Sequence, residues 1–364
     1  MAATATGTGG ILVFALLPVL IGQLSRAFDL SPTQAGTTAS AYFVIYALIS
    51  LTTPLWIRRF NWRMAAAVGY TLSMAGITLL MLNEQSTGAA FGMAIAGAGG
   101  AILLPISLTL VSDMRQTERM YAVTIAAEQL VPAVLLLMLG AGWLGAYTLH
   151  TTLTWSLAVI LLCVFASIGL PAATQPALTG SQHGSAAKAL AALVGLATSF
   201  AGFAAMWAFF EIIGVQAGLS ESFSAQWIAV GLLMTAAGPI AAAWVGNRWG
   251  RILPTSIPIL IAVLAAAWLS NGVTSFTYAT ALVLFPLGYY FALNYFMSIV
   301  ASADANGRFS SLMAFALALG AIGGPAVFGY LREVQGPAFA VMALLLIGST
   351  LGFGAVQKSL DRTT

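Results

Sequence analysis

Long apolar runs alternate with brief polar breaks along the whole chain, and each run is long enough to cross a bilayer, which takes about 20 helical residues. The runs cover 8–28, 35–57, 64–83, 88–112, 120–146 and 151–170, then 189–214, 224–246, 253–270, 275–300, 310–331 and 337–357. Backbone groups in lipid find no water, so segments of this length and continuity are predicted as helices; barrel strands would be half as long and would alternate. The pattern predicts an all-α membrane protein with twelve transmembrane helices.

The polar breaks recur. Leu30-Ser31 returns as Leu219-Ser220, 189 positions on, and the turn Arg58-Arg59-Phe60-Asn61-Trp62 returns as Asn247-Arg248-Trp249-Gly250-Arg251. Arg119 and Arg308, each heading an apolar run, are again 189 apart. Two pseudo-symmetric six-helix bundles are therefore predicted, residues 1–170 and 189–364, joined by a flexible linker of small and polar residues at 171–188. Duplicated membrane halves mark secondary transporters, which hold their substrate where the halves meet.

Composition sharpens the picture. Only 6% of residues are charged, against about a quarter in soluble proteins, so the chain cannot build a water-facing surface and its partner is the lipid bilayer. With an even number of spans, eleven of the thirteen basic residues fall on the side of the termini, and only Arg26 and Arg332 on the other. This bias predicts the cytoplasmic (inner) membrane with both termini in the cytoplasm. The net charge of +3 is then a topology signal, and no nucleic acid need be invoked. The first ten residues lack the positive region of a cleaved signal peptide. Cys163 is alone, so neither a disulfide nor a thiolate metal site is expected, and no cofactor is implied.

Several short patterns stand at the breaks. The turn after the second run reads Pro54-Leu55-Trp56-Ile57-Arg58-Arg59-Phe60-Asn61-Trp62-Arg63, echoed after the eighth run by Asn247-Arg248-Trp249-Gly250-Arg251. Glu118-Arg119 and Gly307-Arg308 precede the fifth and eleventh runs, and Gly320-x-x-x-Gly324-Pro325 lies within the eleventh. Trp207-Ala-Phe-Phe-Glu211-Ile-Ile-Gly214, followed by Gly218-Leu219-Ser220, closes the seventh. Together these resemble the loop and helix signatures of the major facilitator superfamily over nearly the whole chain. The resemblance implies a secondary transporter of small molecules that works by alternating access as a monomer. Two departures point away from a typical multidrug antiporter of that family: Ala94 stands ahead of Gly97-Ala98-Gly99 where an arginine is usual, and the fifth run has no Gly-Pro motif.

The few ionisable residues inside apolar runs are the candidates for chemistry. Glu128 lies about nine residues past Arg119, roughly 13 Å into the bilayer, and is the candidate proton carrier, with Glu211 a second. By the offset of 189, Arg26 corresponds to Val215, one turn beyond Glu211. In the family these two helix ends help close the outer gate, so Arg26 and Glu211 are expected to pair when the cavity faces inward. Tyr42, Tyr46, Gln129, Trp207, Phe210, Tyr290, Asn294 and Tyr295 are the expected substrate-cavity residues; Tyr42 with Tyr46 and Tyr290 with Asn294 are four apart and share helical faces. Arg58, Arg59, Arg63 and Arg248, with Asp113 as acceptor, are expected to latch the cytoplasmic side, since Arg58 stands where the family's signature has an acid.

The expected activity is proton-coupled movement of a small organic solute, with a lean toward an organic anion or aromatic compound because Arg26 offers a cation near the outer mouth. The alternative is proton-driven export of lipophilic compounds. An embedded enzyme would need a nucleophile with its base or a metal cluster, and neither is legible; a sensor would carry a soluble output domain.

Overall fold

The structure is a computed structural model that describes residues 1–83, 85–112, 117–172, 185–246, 248–303, 309 and 312–361, with the backbone alone at 86, 112 and 117–123. Among these residues the regular structure is helical: α1 (Ala2–Ala15), α2 (Leu17–Phe28), α3 (Pro32–Trp56), α4 (Trp62–Leu82), α5 (Ser86–Ser112), α6 (Thr117–Gly140) and α7 (Leu149–Ala166), then α8 (Ala186–Gln216), α9 (Glu221–Val245), α10 (Ile252–Trp268), α11 (Ser275–Ala303), α12 (Met313–Glu333) and α13 (Ala338–Asp361). Ten of these are each long and apolar enough to cross a membrane, and α1 with α2 supplies an eleventh crossing if taken as one bent span. The twelfth expected run is α6, whose described apolar part is the shorter Thr124–Gly140.

The first run is not the continuous helix its hydropathy predicts. It bends by 43° between α1 and α2. Pro18 sits in the first turn of α2, where its missing N–H and its ring break the hydrogen-bond ladder from the preceding turn.

The repeat seen in the sequence is also a repeat of helix boundaries. Pro32 and Glu221, Ser86 and Ser275, and Leu149 and Ala338 are helix starts 189 positions apart, and α3 and α9 are both 25 residues long. The echo of Leu30-Ser31 in Leu219-Ser220 has a local cause. Ser31 and Ser220 are the N-caps of α3 and α9, each accepting a hydrogen bond from a backbone N–H three residues on, a contact worth about 1 kcal/mol.

Glycines set the closest approaches between these helices. Gly320 and Gly324 of α12 lie against the Ala197 and Ala201 carbonyls of α8, where an added Cβ would come within 2.0 and 2.2 Å of oxygen. Gly329 of α12 meets Pro32 and Gly36 of α3 meets Pro325, so α3 and α12 pack backbone to backbone over the half of α3 that follows Ser31. Gly140 of α6 meets Ser222 and Ala225 of α9. Gly140 and Gly329 are themselves 189 apart, so the α6/α9 contact repeats the α12/α3 contact. The contacts of Gly329 with Pro32 and of Gly140 with Ser222 lie toward the end of the bundle carrying Arg26 and Arg332, whereas those of Gly320 and Gly324 with α8 lie nearer mid-helix.

Candidate functional site

A cavity of about 530 Å³ lies among α1, α3, α5, α6, α8, α11 and α12, a size that suits a small organic ligand. Its wall begins near Gly10 and Phe14 in the middle of the molecule and reaches Ile57 and Met313. Those two residues sit where α3 ends and α12 begins, beside the basic turn at 58–63, so the cavity extends toward that end of the bundle.

Glu128 stands in its wall, 3% exposed, and Ser107 of α5 donates a 2.8 Å hydrogen bond to its Oε1. α1 makes the room for this carboxylate. A Cβ on Gly7 would lie 1.6 Å from Glu128 Oε1, so any side chain there would displace the carboxylate from this place. Next in sequence, Gln129 also lines the cavity, 7% exposed, and its buried Oε1 has no hydrogen-bond partner. An unpaired buried amide oxygen costs about 1–3 kcal/mol, and a donor arriving in the cavity would recover that. Tyr42 and Tyr46 stack at 6.0 Å on the same wall, and Tyr290 enters from α11.

The opposite end is closed by polar contacts between helices that precede and follow residues 173–184. Arg26 at the end of α2 donates from Nη2 to Glu211 Oε1 of α8 at 3.0 Å and from Nη1 to Oε2 at 3.3 Å, while its Nε lies 3.0 Å from Glu221 Oε1 of α9. Tyr147, just before α7, donates a third hydrogen bond to Glu211 at 3.2 Å. The Glu211 side chain is fully buried, and a Cβ on Gly22 of α2 would fall 1.3 Å from its Oε2. Gly22 and Glu211 are equivalent at the offset of 189, so they meet where a two-fold axis relating the repeats would pass. Glu333 of α12 adds two bonds, from Ser31 Oγ at 2.8 Å and from the Thr33 backbone N–H at 2.9 Å.

The chain matches the family model of the Major Facilitator Superfamily over residues 2–325 of its 364. It belongs to the major facilitator superfamily. Superfamily members are transporters and not enzymes, so this is a multi-pass membrane transporter. The crystal structure of an MFS transporter, FucP, in the outward conformation matches 100% of this chain and 97% of its own, with a TM-score of 0.61 and 15% sequence identity, which shows a shared fold. No curated protein matches the sequence.

Within this superfamily fold the expected site residues separate. Tyr42, Tyr46, Glu128, Gln129 and Tyr290 line the cavity. Four others lie elsewhere. Trp207 and Phe210 are fully buried in an aromatic stack with Phe203, Phe285 and Tyr278, and so contribute packing between α8 and α11. Asn294 is exposed and donates back to the Tyr290 carbonyl at 2.8 Å. Tyr295 donates to the Gly246 carbonyl at 2.8 Å, which caps the end of α9.

At the basic end, Arg63 donates to the Leu170 carbonyl at 2.7 Å, and Arg248 lies 5.8 Å above the Trp244 ring. Arg59 is exposed and Arg58 half-buried, while Asp113 lies outside the described residues. Tyr147, Glu221 and Ser107 are the contributors that sequence reasoning missed. Glu221 reads as an ordinary acid in a helix's first turn, and neither the tyrosine nor the serine carries a signal of its own.

Proposed function

We propose that this superfamily member is a proton-coupled secondary transporter that carries a small organic solute across the cytoplasmic membrane by alternating access. In this reading, residues 1–170 and 189–364 rock as two bundles about the 171–188 linker, and both termini are cytoplasmic. The observation that carries it is one chamber lined from both sides of the linker, reaching the basic end and tied shut at the other by Arg26, Glu211 and Glu221. FucP is described in an outward conformation, and two access states of one fold are what this mechanism requires.

Glu128 is the proton carrier in this scheme, because it is a carboxylate in the chamber wall that meets the open side in one state and the other side in the next. Glu211 acts in the outer gate, where breaking its bonds to Arg26 and Tyr147 accompanies opening. The lean toward an organic anion loses its support. Arg26 is held by two carboxylates and lies outside the cavity wall, so a lipophilic compound, the class named by the export alternative, fits the chamber better than an anion.

The experiment is uptake of labelled aromatic solutes into liposomes under an imposed pH gradient. One proton per solute supports about tenfold accumulation per pH unit. Wild-type protein is expected to concentrate at least one solute, and Glu128→Gln to lose that accumulation. Equal accumulation by both proteins would refute the carrier role.

A further inference from the structure

Helices on the two sides of the linker contribute unlike chemistry to the cavity wall. From the first side come the Glu128 carboxylate, the unpartnered Gln129 amide and the hydroxyls of Tyr42 and Tyr46. From the second come Phe200, Leu293, Met297, Met313 and Leu317, with Tyr290 the one hydroxyl among them. Among the described residues six aromatic rings line the chamber, those of Phe14, Tyr42, Phe43, Tyr46, Phe200 and Tyr290. Among the described lining residues Glu128 is the only charged side chain.

A carboxylate set among aromatic faces is the chemistry that recognises an ammonium group. The carboxylate supplies a charge-assisted hydrogen bond, and the ring faces attract the cation through their quadrupoles. The Gln129 amide accepts a second N–H, which removes the cost of leaving its oxygen bare. The apolar wall opposite then covers a hydrocarbon or aromatic body.

We infer that the solute is a lipophilic weak base, an aromatic body carrying one protonated amine, with the ammonium held between Glu128 and Gln129 and the body against α8, α11 and α12. The consequence for transport, which rests on the reading above, is the sign of coupling. A proton on Glu128 neutralises the group that holds the ammonium, so proton and solute exclude one another at one carboxylate and the two are exchanged rather than moved together. The neighbours of Glu128 do not confuse this competition. α1 presents Gly7, α3 presents Tyr42 and Tyr46, α5 presents Ser107, and Tyr290 stands on α11. α8, α9 and α12 carry their charged residues at their ends: Lys188 and Glu211, Glu221, and Arg332 and Glu333. Serine and tyrosine ordinarily keep their protons below pH 9.

The test is equilibrium binding to the purified full chain of three probes on one skeleton: 1-naphthylmethylamine, 1-naphthylmethanol and 1-naphthoic acid. At pH 8 the amine is expected to bind at least about tenfold tighter than the alcohol and the acid. Its affinity is expected to fall as pH is lowered to 5, while the alcohol's stays flat, and Glu128→Gln should erase both the preference and the pH dependence. The wild-type ranking and pH profile need no variant, so they stand even if Glu128→Gln fails to fold. Binding of the alcohol or the acid as tightly as the amine, or an amine affinity indifferent to pH, would overturn the inference. Amine selectivity without gradient-driven flux in liposomes would instead sink the transport reading and leave the cavity chemistry standing; flux of a neutral solute with no amine preference would do the reverse.

Discussion

The helices before residue 171 and those after residue 188 line one chamber from equivalent positions, yet with different side chains. Leu104 and Leu293, and Leu108 and Met297, are 189 apart, and all four lie in the wall. At the same offset Glu128 faces the chamber where its counterpart is Leu317, and Gln129 where its counterpart is Ala318. The repeat thus keeps the shape of the wall and confines nearly all its polarity to one side. Such an arrangement orients a ligand, because only one wall offers it hydrogen bonds. In the proposed rocking motion the two sides would separate without breaking a polar network inside the chamber.

The first way to break this comparison is to exchange the unlike residues. Glu128→Gln is expected to reduce gradient-driven flux by about 100-fold, in line with the loss of a proton-transferring group. Leu317→Gln, at the equivalent position, should change flux less than about threefold, the size of a wall contact worth well under 1.4 kcal/mol. Equal losses at both positions would show that shape, and not the carboxylate, is what Glu128 contributes.

A second comparison sets tight glycines against an open one. Gly22→Ala places a Cβ 1.3 Å from Glu211 Oε2 and should destabilise the protein by about 1–3 kcal/mol, measured by unfolding in detergent. Gly323 has nothing within 4 Å of its Cβ position, so Gly323→Ala should stay within about 0.5 kcal/mol or gain slightly in helix propensity. If Gly22→Ala is as mild, Glu211 has space that the packing denies it.

The smallest effects separate neighbours on one helix. Tyr290→Ala removes an aromatic wall residue and should raise the solute KM about tenfold, whereas Asn294→Ala removes a side chain bonded to its own helix and should shift KM less than about twofold.

Legibility followed the same division. The offset of 189 carried real structural content: it placed Arg26 near Glu211, and it reflects helix starts and the Ser31 and Ser220 caps. Rotation about each helix axis was not legible. A helix apolar on every side carries no periodic signal of which face it buries, so Trp207, Phe210 and Tyr295, expected in the cavity, lie outside its wall on helices that do contribute to it. The spacing of four between Tyr290 and Asn294 correctly put them on one side of α11, but Asn294 satisfies its own helix carbonyl instead of a ligand. The bend before Pro18 escaped because a hydropathy window does not register a single missing N–H.

The central claim is a chamber reached from the basic end and sealed at the other by Arg26 and Glu211. Cys163 is the only cysteine, so Cys163→Ser gives a parent without thiols, into which Met297→Cys places one thiol in the chamber wall. A membrane-impermeant maleimide applied to inside-out and right-side-out vesicles then reports which end is open. The account predicts labelling only from the side bearing the basic turns, and labelling from both sides once Arg26→Ala is added. Labelling of the Met297→Cys protein solely from the Arg26 side, or an Arg26→Ala variant that remains sealed there, would contradict it.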